Sequence, residues 1–481
     1  MTPQKCVSYC LPVVLSFTVL LTACGGGGST SSGNGGGGGT TPPSTANEWT
    51  WMGGSNAVGT KFGGAKGVYG SVGVASASDV PGGREFASSW TDSSGNFWLF
   101  GGMGYDANGT LAFGLNDLWE YSPTTKMWTW VSGSSTAPSA NGSQPGVYGT
   151  EGVPAASNVP GGRFGAVSWI DASGNLWLFG GNGQDAPTGF LNDLWQFNPS
   201  TKEWTWVSGS NTGSMPGGNA VYGTEGVAAP GNVPGSREAS ANWIDTSGNL
   251  WLFGGSDLND LWEFNPSSKE WTWVTGSSSV NGVPDCLAGV YGTLGVAAVG
   301  NTPGGRGETE SNSTSWTDNN GNFWLFGGYD CQGALNDLWE FSPSTKEWTW
   351  ISGSDTAGTS GVYGTMGTGS TTNVPGARAN AISWIDTGGN LWLFGGGGQF
   401  NDLWEFNPAA KTWTWMSGSN TSNASGVYGT LGSASTANVP GGREGAVSWR
   451  DGSGNLWLFG GLGYDSTGTV GYLNDLWRYE P

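Results

Sequence analysis

The chain has 481 residues, with 90 Gly, 30 Trp and no His, so glycine stands well above its usual share of roughly 7%. Aromatic residues reach 13%, and that much ring area offsets the ordering entropy that keeps a glycine-rich chain unfolded. A net charge of −20 lacks the basic footprint of a nucleic-acid binder, and the absence of His removes the commonest general base and metal ligand.

In chain order, the first feature is Lys5 followed by the apolar stretch Leu11 to Ala23. It is too short to cross a bilayer and has the form of a signal-peptide core. It ends in Leu21-Thr22-Ala23-Cys24, which resembles the lipobox of bacterial lipoproteins. The resemblance implies cleavage before Cys24, lipidation of its thiol, and an exported protein held to the cell envelope, at the outer membrane or cell surface. Residues 1–23 are then a signal peptide. Residues 24–46 are the lipidated Cys and a Gly/Ser-rich tether with an r.m.s. span of roughly 25 Å. Cys6 and Cys10 leave with the signal, so Cys286 and Cys331 remain as an even pair in an oxidising compartment, and a disulfide between them is expected.

From residue 47 onward the sequence repeats. Pro-Gly-Gly-Arg or a close variant ends at Arg84, Arg163, Arg237, Arg306, Arg378 and Arg443. Each copy is followed by Trp-x-Asp, Gly-Asn-Leu/Phe-Trp-Leu-Phe-Gly-Gly, Asn-Asp-Leu-Trp and, in all but the last, Trp-Thr-Trp. Each unit holds four short apolar or alternating runs divided by turn residues, the pattern of a four-stranded antiparallel meander. In the first unit strand a ends near Trp90-Thr91-Asp92, strand b covers 96–100, strand c 117–121 and strand d 128–131. Sheets with two apolar faces must stack, and radial stacking closes a propeller.

The Gly-Gly doublet after strand b, with Tyr121 and Trp128 separated by six residues, resembles the kelch repeat. Phe197 and Trp204, Phe264 and Trp271, Phe341 and Trp348, and Phe406 and Trp413 keep that spacing. The resemblance covers residues 47–481 and implies an all-β fold: a six-bladed kelch-type β-propeller with four antiparallel strands per blade. The first Trp-Thr-Trp (Trp49 to Trp51) precedes every other motif, and the chain stops at Asn474-Asp475-Leu476-Trp477-Arg478-Tyr479-Glu480-Pro481. The N-terminal strand is therefore expected to complete the last blade and remove a free edge.

In such a blade the long b-to-c loops and the d-to-a connectors share one face. The b-to-c loops hold 13, 10, 3, 7, 4 and 12 residues, and variable loops on a rigid scaffold are where binding resides. Ligand-binding candidates on this face are Tyr105, Asp106, Phe113, Asp185, Phe190, Asp257, Tyr329, Asp330, Phe400, Tyr464, Asp465 and Tyr472. The carboxylates suit loop shaping or Ca²⁺, although no Asp-x-Asp-x-Asp-Gly loop occurs, and no other cofactor is expected. The planar rings suit sugar stacking or loop packing. The six Arg are expected to ring the channel mouth, either paired with neighbouring Asp or Glu or binding an anion, and Glu85, Glu238 and Glu444 directly follow three of them. Each connector also carries Val-Tyr-Gly, with Tyr at 69, 148, 222, 291, 363 and 428.

Kelch-like propellers include galactose oxidase, whose copper site needs His ligands and so cannot be carried over to a chain without His. Ser-His-Asp and Cys-His systems fail for the same reason. The resulting expectation is a monomeric, lipid-anchored binding module without a catalytic set, engaging a glycan or a protein through the long-loop face. The alternatives are a sugar-modifying enzyme using loop carboxylates, or a structural envelope protein.

Overall fold

In the computed structural model, residues 46–183, 189–278, 287–307 and 311–481 are described. The expected signal peptide, Cys24, the tether up to residue 45, Asp185 and Cys286 lie outside the described residues. The fold is all-β and propeller-like, built from antiparallel four-stranded sheets.

The repeat dictates each sheet locally. Strands a to d of sheet one are Ser88–Thr91, Phe97–Phe100, Leu118–Ser122 and Met127–Ser132, hydrogen-bonded in that order. Its a-to-b turn is shaped by Asp92, whose Oδ1 accepts the backbone N–H groups of Ser94 and Asn96 while Oδ2 accepts the Trp98 indole N–H at 2.9 Å. Asp171, Asp245, Asp318, Asp386 and Asp451 each accept the corresponding indole N–H in their own units. The c-to-d turns place Lys126, Lys202, Lys269, Lys346 and Lys411 in the left-handed region, at φ between 54° and 60°, a conformation a non-glycine residue adopts only when the turn imposes it.

Sheets two to five follow the same plan, with inner strands Val167–Ile170, Ala241–Ile244, Thr314–Thr317 and Ile382–Ile385. Sheet six is composite. Its strands Val447–Arg450, Leu456–Phe459 and Leu476–Glu480 are completed by Glu48–Gly53, with Trp49 opposite Tyr479 and Thr50 opposite Arg478. The N-terminal strand thus occupies the outermost place, where a last sheet lacking its own strand d would leave an open edge.

Tryptophan fills the spaces between sheets. Trp177 and Phe179 of sheet two pack with Trp262, Phe264 and Trp271 of sheet three. The same contact joins sheet six to sheet one, where Trp449, Trp457 and Phe459 meet Phe97, Trp119, Tyr121 and Trp128. Each connector is clamped to an outer strand by a buried amide. Asn158 Nδ2 donates to the carbonyls of Val153 and Trp204, and Asn232, Asn301, Asn373 and Asn438 repeat this pair of bonds. The first connector departs from the rule, with the buried Asp79 in that place and its Oδ2 without a hydrogen-bond partner.

Candidate binding face

The innermost strands surround a central channel of about 180 Å³. Its wall is uncharged, made of Ser, Thr, Asn, Gly, Val, Ile and Ala side chains with Phe86 at one rim. Two circuits of hydrogen bonds tie the strands together. In the first, Ser448 Oγ donates to Ser383 O, Ser383 to Ser315, Ser315 to Asn242, Asn242 Nδ2 to Ser168, Ser168 to Ser89 and Ser89 back to Ser448, at 2.8 to 3.4 Å. In the second, running in the opposite sense, the strand-a indoles of Trp90, Trp169, Trp243, Trp316, Trp384 and Trp449 donate to the strand-b carbonyl of the next sheet, at 2.9 to 3.2 Å.

Outside the channel each repeat builds one buried polar cluster. Arg443 Nη1 and Nη2 meet Asp475 Oδ1 and Oδ2 at 2.6 and 2.7 Å, Nε donates to Gly441 O and Nη1 also to Gly460 O. The same carboxylate accepts the Tyr428 hydroxyl and the Trp477 indole, both at 2.6 Å. Arg84 with Asp117, Arg163 with Asp193, Arg237 with Asp260, Arg306 with Asp337 and Arg378 with Asp402 repeat the ion pair. Burial, followed by the Asp charge, pushes the hydroxyls of Tyr69, Tyr222, Tyr291, Tyr363 and Tyr428 far above their usual range. Burial lowers the affinity of Arg84, Arg237, Arg306, Arg378 and Arg443 for their proton, but the Asp partner more than restores it, so they stay charged. The six Arg expected at the channel mouth are therefore buried and committed to Asp. The partner is the Asp of Asn-Asp-Leu-Trp, not the adjacent Glu85, Glu238 or Glu444. Burial instead holds the Glu444 carboxyl above its usual range, opposed by hydrogen bonds from Asn380 and Gln399.

The Asp candidates of the b-to-c loops turn inward. Asp106 is fully buried, and its carboxylate accepts the N–H groups of Asn108, Thr110 and Ala137. Asp465 does the same for Thr467, Thr469 and Val58; burial pushes its carboxyl up, and these bonds outweigh it and leave it below the usual range. Asp330 Oδ1 accepts from Gln332 and Gly333, while Asp257 sits in a left-handed turn at φ 64°. Carboxylates filled by backbone N–H groups shape loops, and among the described residues no three His, Cys, Asp or Glu converge as metal ligands.

The aromatic candidates divide. Tyr105 and Tyr472 meet edge to face at 5.8 Å, within an apolar cluster of Phe86, Met103, Phe164 and Tyr472 bordered by Leu111 and Leu462. Two small hairpins position it: Met103–Tyr105 with Leu111–Ala112, and Leu462–Tyr464 with Val470–Tyr472. Tyr464 ends the first strand of the second hairpin and is partly buried. Phe113 and Tyr329 are exposed, Phe190 pairs through its backbone with Ser214, and the Phe400 ring lies 4.7 Å from the Arg378 guanidinium. The structure therefore gathers candidates over sheets one and six and leaves the others scattered. Sequence reasoning missed Phe62, which is exposed beside this cluster and whose carbonyl accepts the Tyr105 hydroxyl at 3.1 Å. Its signal was that the first connector alone carries an aromatic upstream of Val-Tyr-Gly. Cys331 is disulfide-bonded, while its expected partner Cys286 lies outside the described residues.

No protein-family model and no curated protein matches this chain.

Proposed function

We propose that this protein is a six-bladed kelch-type propeller of the cell envelope, lipid-anchored through Cys24, that binds a glycan or a protein on its long-loop face over sheets six and one. The observation that carries the reading is the aromatic cluster there, with Phe62 and Phe113 exposed and Tyr105 partly so. Tyr105, Tyr472, Phe62 and Phe113 lie on or beside two paired hairpins, next to a channel whose wall is neutral and hydroxyl-rich. Flat rings beside hydroxyl and amide groups match the alternating apolar and polar faces of a sugar. The six Arg do not compete as an anion site, because each is already ion-paired with a buried Asp.

The test is an array of glycans and cell-wall polymers probed with the purified protein, followed by an assay of any hit for chemical conversion. Binding without conversion that Tyr105→Ala weakens supports the proposal. Conversion assigns a sugar-modifying enzyme instead, and binding that ignores substitutions at Tyr105 and Phe62 moves the site elsewhere.

A further inference from the structure

On the face opposite the long loops, the grooves that sheets one, three and four make with the sheet after them share one arrangement. A strand-b Trp lies beside a strand-c acid, and a Lys arrives from the c-to-d turn of the following sheet. Between sheets one and two, Lys202 Nζ is 3.5 Å from Glu120 Oε2 and 4.5 Å from the Trp98 ring centre. Between sheets three and four, a cavity of about 360 Å³ is lined by Asp245, Trp251, Glu263 and Lys346. Burial and then Asp245 hold the Glu263 carboxyl above its usual range, with Lys346 opposing them. Glu340 faces Lys411 in the same way.

Sheet six reverses the charge. Its strand-c position is Arg478, directly across from Trp457, and Trp457 packs on Tyr121 of sheet one at 5.9 Å. Arg478 therefore faces the groove between sheets six and one, where its charge acts on Tyr121: burial pushes that hydroxyl up to about 12, and Arg478 works against the rise. The turn that brings Lys202 to Glu120 has its counterpart in the turn that carries Lys126, placing Lys126 at this same groove. Arg478 Nε is buried without a hydrogen-bond partner, and among the described residues the guanidinium makes no ion pair. Asp451, on the same groove, is occupied by Ser453 N, Asn455 N, Asn455 Nδ2 and Trp457 Nε1. This groove thus has two cations and one carboxylate, whereas the groove between sheets three and four has one cation and two carboxylates.

We propose that the groove between sheets six and one binds a phosphate-type oxyanion, with Arg478 supplying a planar pair of donors and Lys126 a mobile point charge. The site lies on the opposite face from the proposed glycan surface and does not depend on it. The first described strand starts on this face, with Thr50 opposite Arg478, so a phospholipid headgroup and a soluble phosphate are the two sources of the same group.

The test titrates inorganic phosphate into the full chain by calorimetry and thermal shift. Phosphatidylglycerol and phosphatidylcholine vesicles are then offered in a pelleting assay. Phosphate is expected to raise the melting temperature of the native protein. Arg478→Glu, which restores the acid of the sister grooves, is expected to weaken phosphate binding roughly tenfold or more, while Lys202→Ala leaves it unchanged. Pelleting with phosphatidylglycerol that Arg478→Glu abolishes assigns the headgroup, and phosphate binding without pelleting assigns a soluble ligand. Should Arg478→Glu itself lower the melting temperature, the exposed-turn variant Lys126→Ala provides the same comparison. No response to phosphate or vesicles, or a response that both variants retain, overturns the proposal.

Discussion

The indole N–H of Trp449 donates to the carbonyl of Trp98 at 3.2 Å, joining residues 351 positions apart in sequence. It is the bond by which sheet six meets sheet one, equivalent to the five that link each earlier sheet to the next. Sheet six also relies on the N-terminal strand, since Trp49 is buried against Phe394, Trp477 and Tyr479. Trp49→Ala is expected to destabilise the fold by about 3–5 kcal/mol, the usual cost of truncating a buried Trp, read as a fall in the denaturant midpoint. An unchanged midpoint and unchanged resistance to proteolysis would show that this strand is dispensable.

The six Arg–Asp pairs are buried on both sides, so removing one charge strands the other. Asp475→Asn is expected to cost about 3–5 kcal/mol, more than an exposed Lys–Glu substitution of the Lys202–Glu120 kind, which costs about 0.2–1 kcal/mol. Chemical denaturation of the two variants in parallel checks the contrast, and equal losses would refute it.

Asp79 offers an opportunity to stabilise. Five sister connectors use an Asn amide to donate to two carbonyls, and Asp79 has no amide N–H to give. Asp79→Asn is expected to gain about 1–2 kcal/mol, seen as a higher melting temperature. A neutral or lower value would mean that the first connector is held in another way.

Glu405 lies between sheets five and six, and sheet six has no c-to-d turn to supply a Lys, because its strand d comes from the N terminus. Burial first, and then Asp386, hold the Glu405 carboxyl above its usual range. A raised acid contributes its full stability below the unfolded value near 4.3 and loses it as pH rises through the folded value. Glu405→Gln is therefore expected to raise the melting temperature at pH 7 and to match the native protein at pH 4. A difference of the opposite sign, or one constant with pH, contradicts this.

Cys331 is disulfide-bonded. If Cys286 is the partner, the bridge closes about 45 residues and contributes roughly 3–4 kcal/mol in the loop-entropy model. Peptide mapping of the unreduced protein should recover the two cysteines in one cross-linked fragment and find no reactive thiol at either.

Much of the fold was legible because its determinants are local. Asp, Gly and Pro at fixed offsets make the turns, and short continuous apolar runs such as Leu250 to Phe253 make the buried strands. The displaced Trp-Thr-Trp at residue 49 announced the composite sheet, since an unmatched strand needs a partner edge. All 30 Trp belong to the repeat motifs, so none was left as a marker for a ligand.

What the tertiary structure decided were relationships between distant positions. Adjacency in sequence favoured Glu85, Glu238 and Glu444 as partners of the arginines, yet the guanidinium groups reach Asp residues 23 to 33 positions later. A strand-top Arg projects along its sheet toward the start of strand c, and its neighbour in sequence points away from it. The same holds for the loop residues. Asp106 and Asp465 are drawn inward by backbone N–H groups of their own loops, while Tyr105, Phe62 and Tyr472 meet only because sheets six and one pack side by side. The reversal of charge at Arg478 likewise matters only through the groove it faces, and the packing of Trp457 on Tyr121 of sheet one determines that.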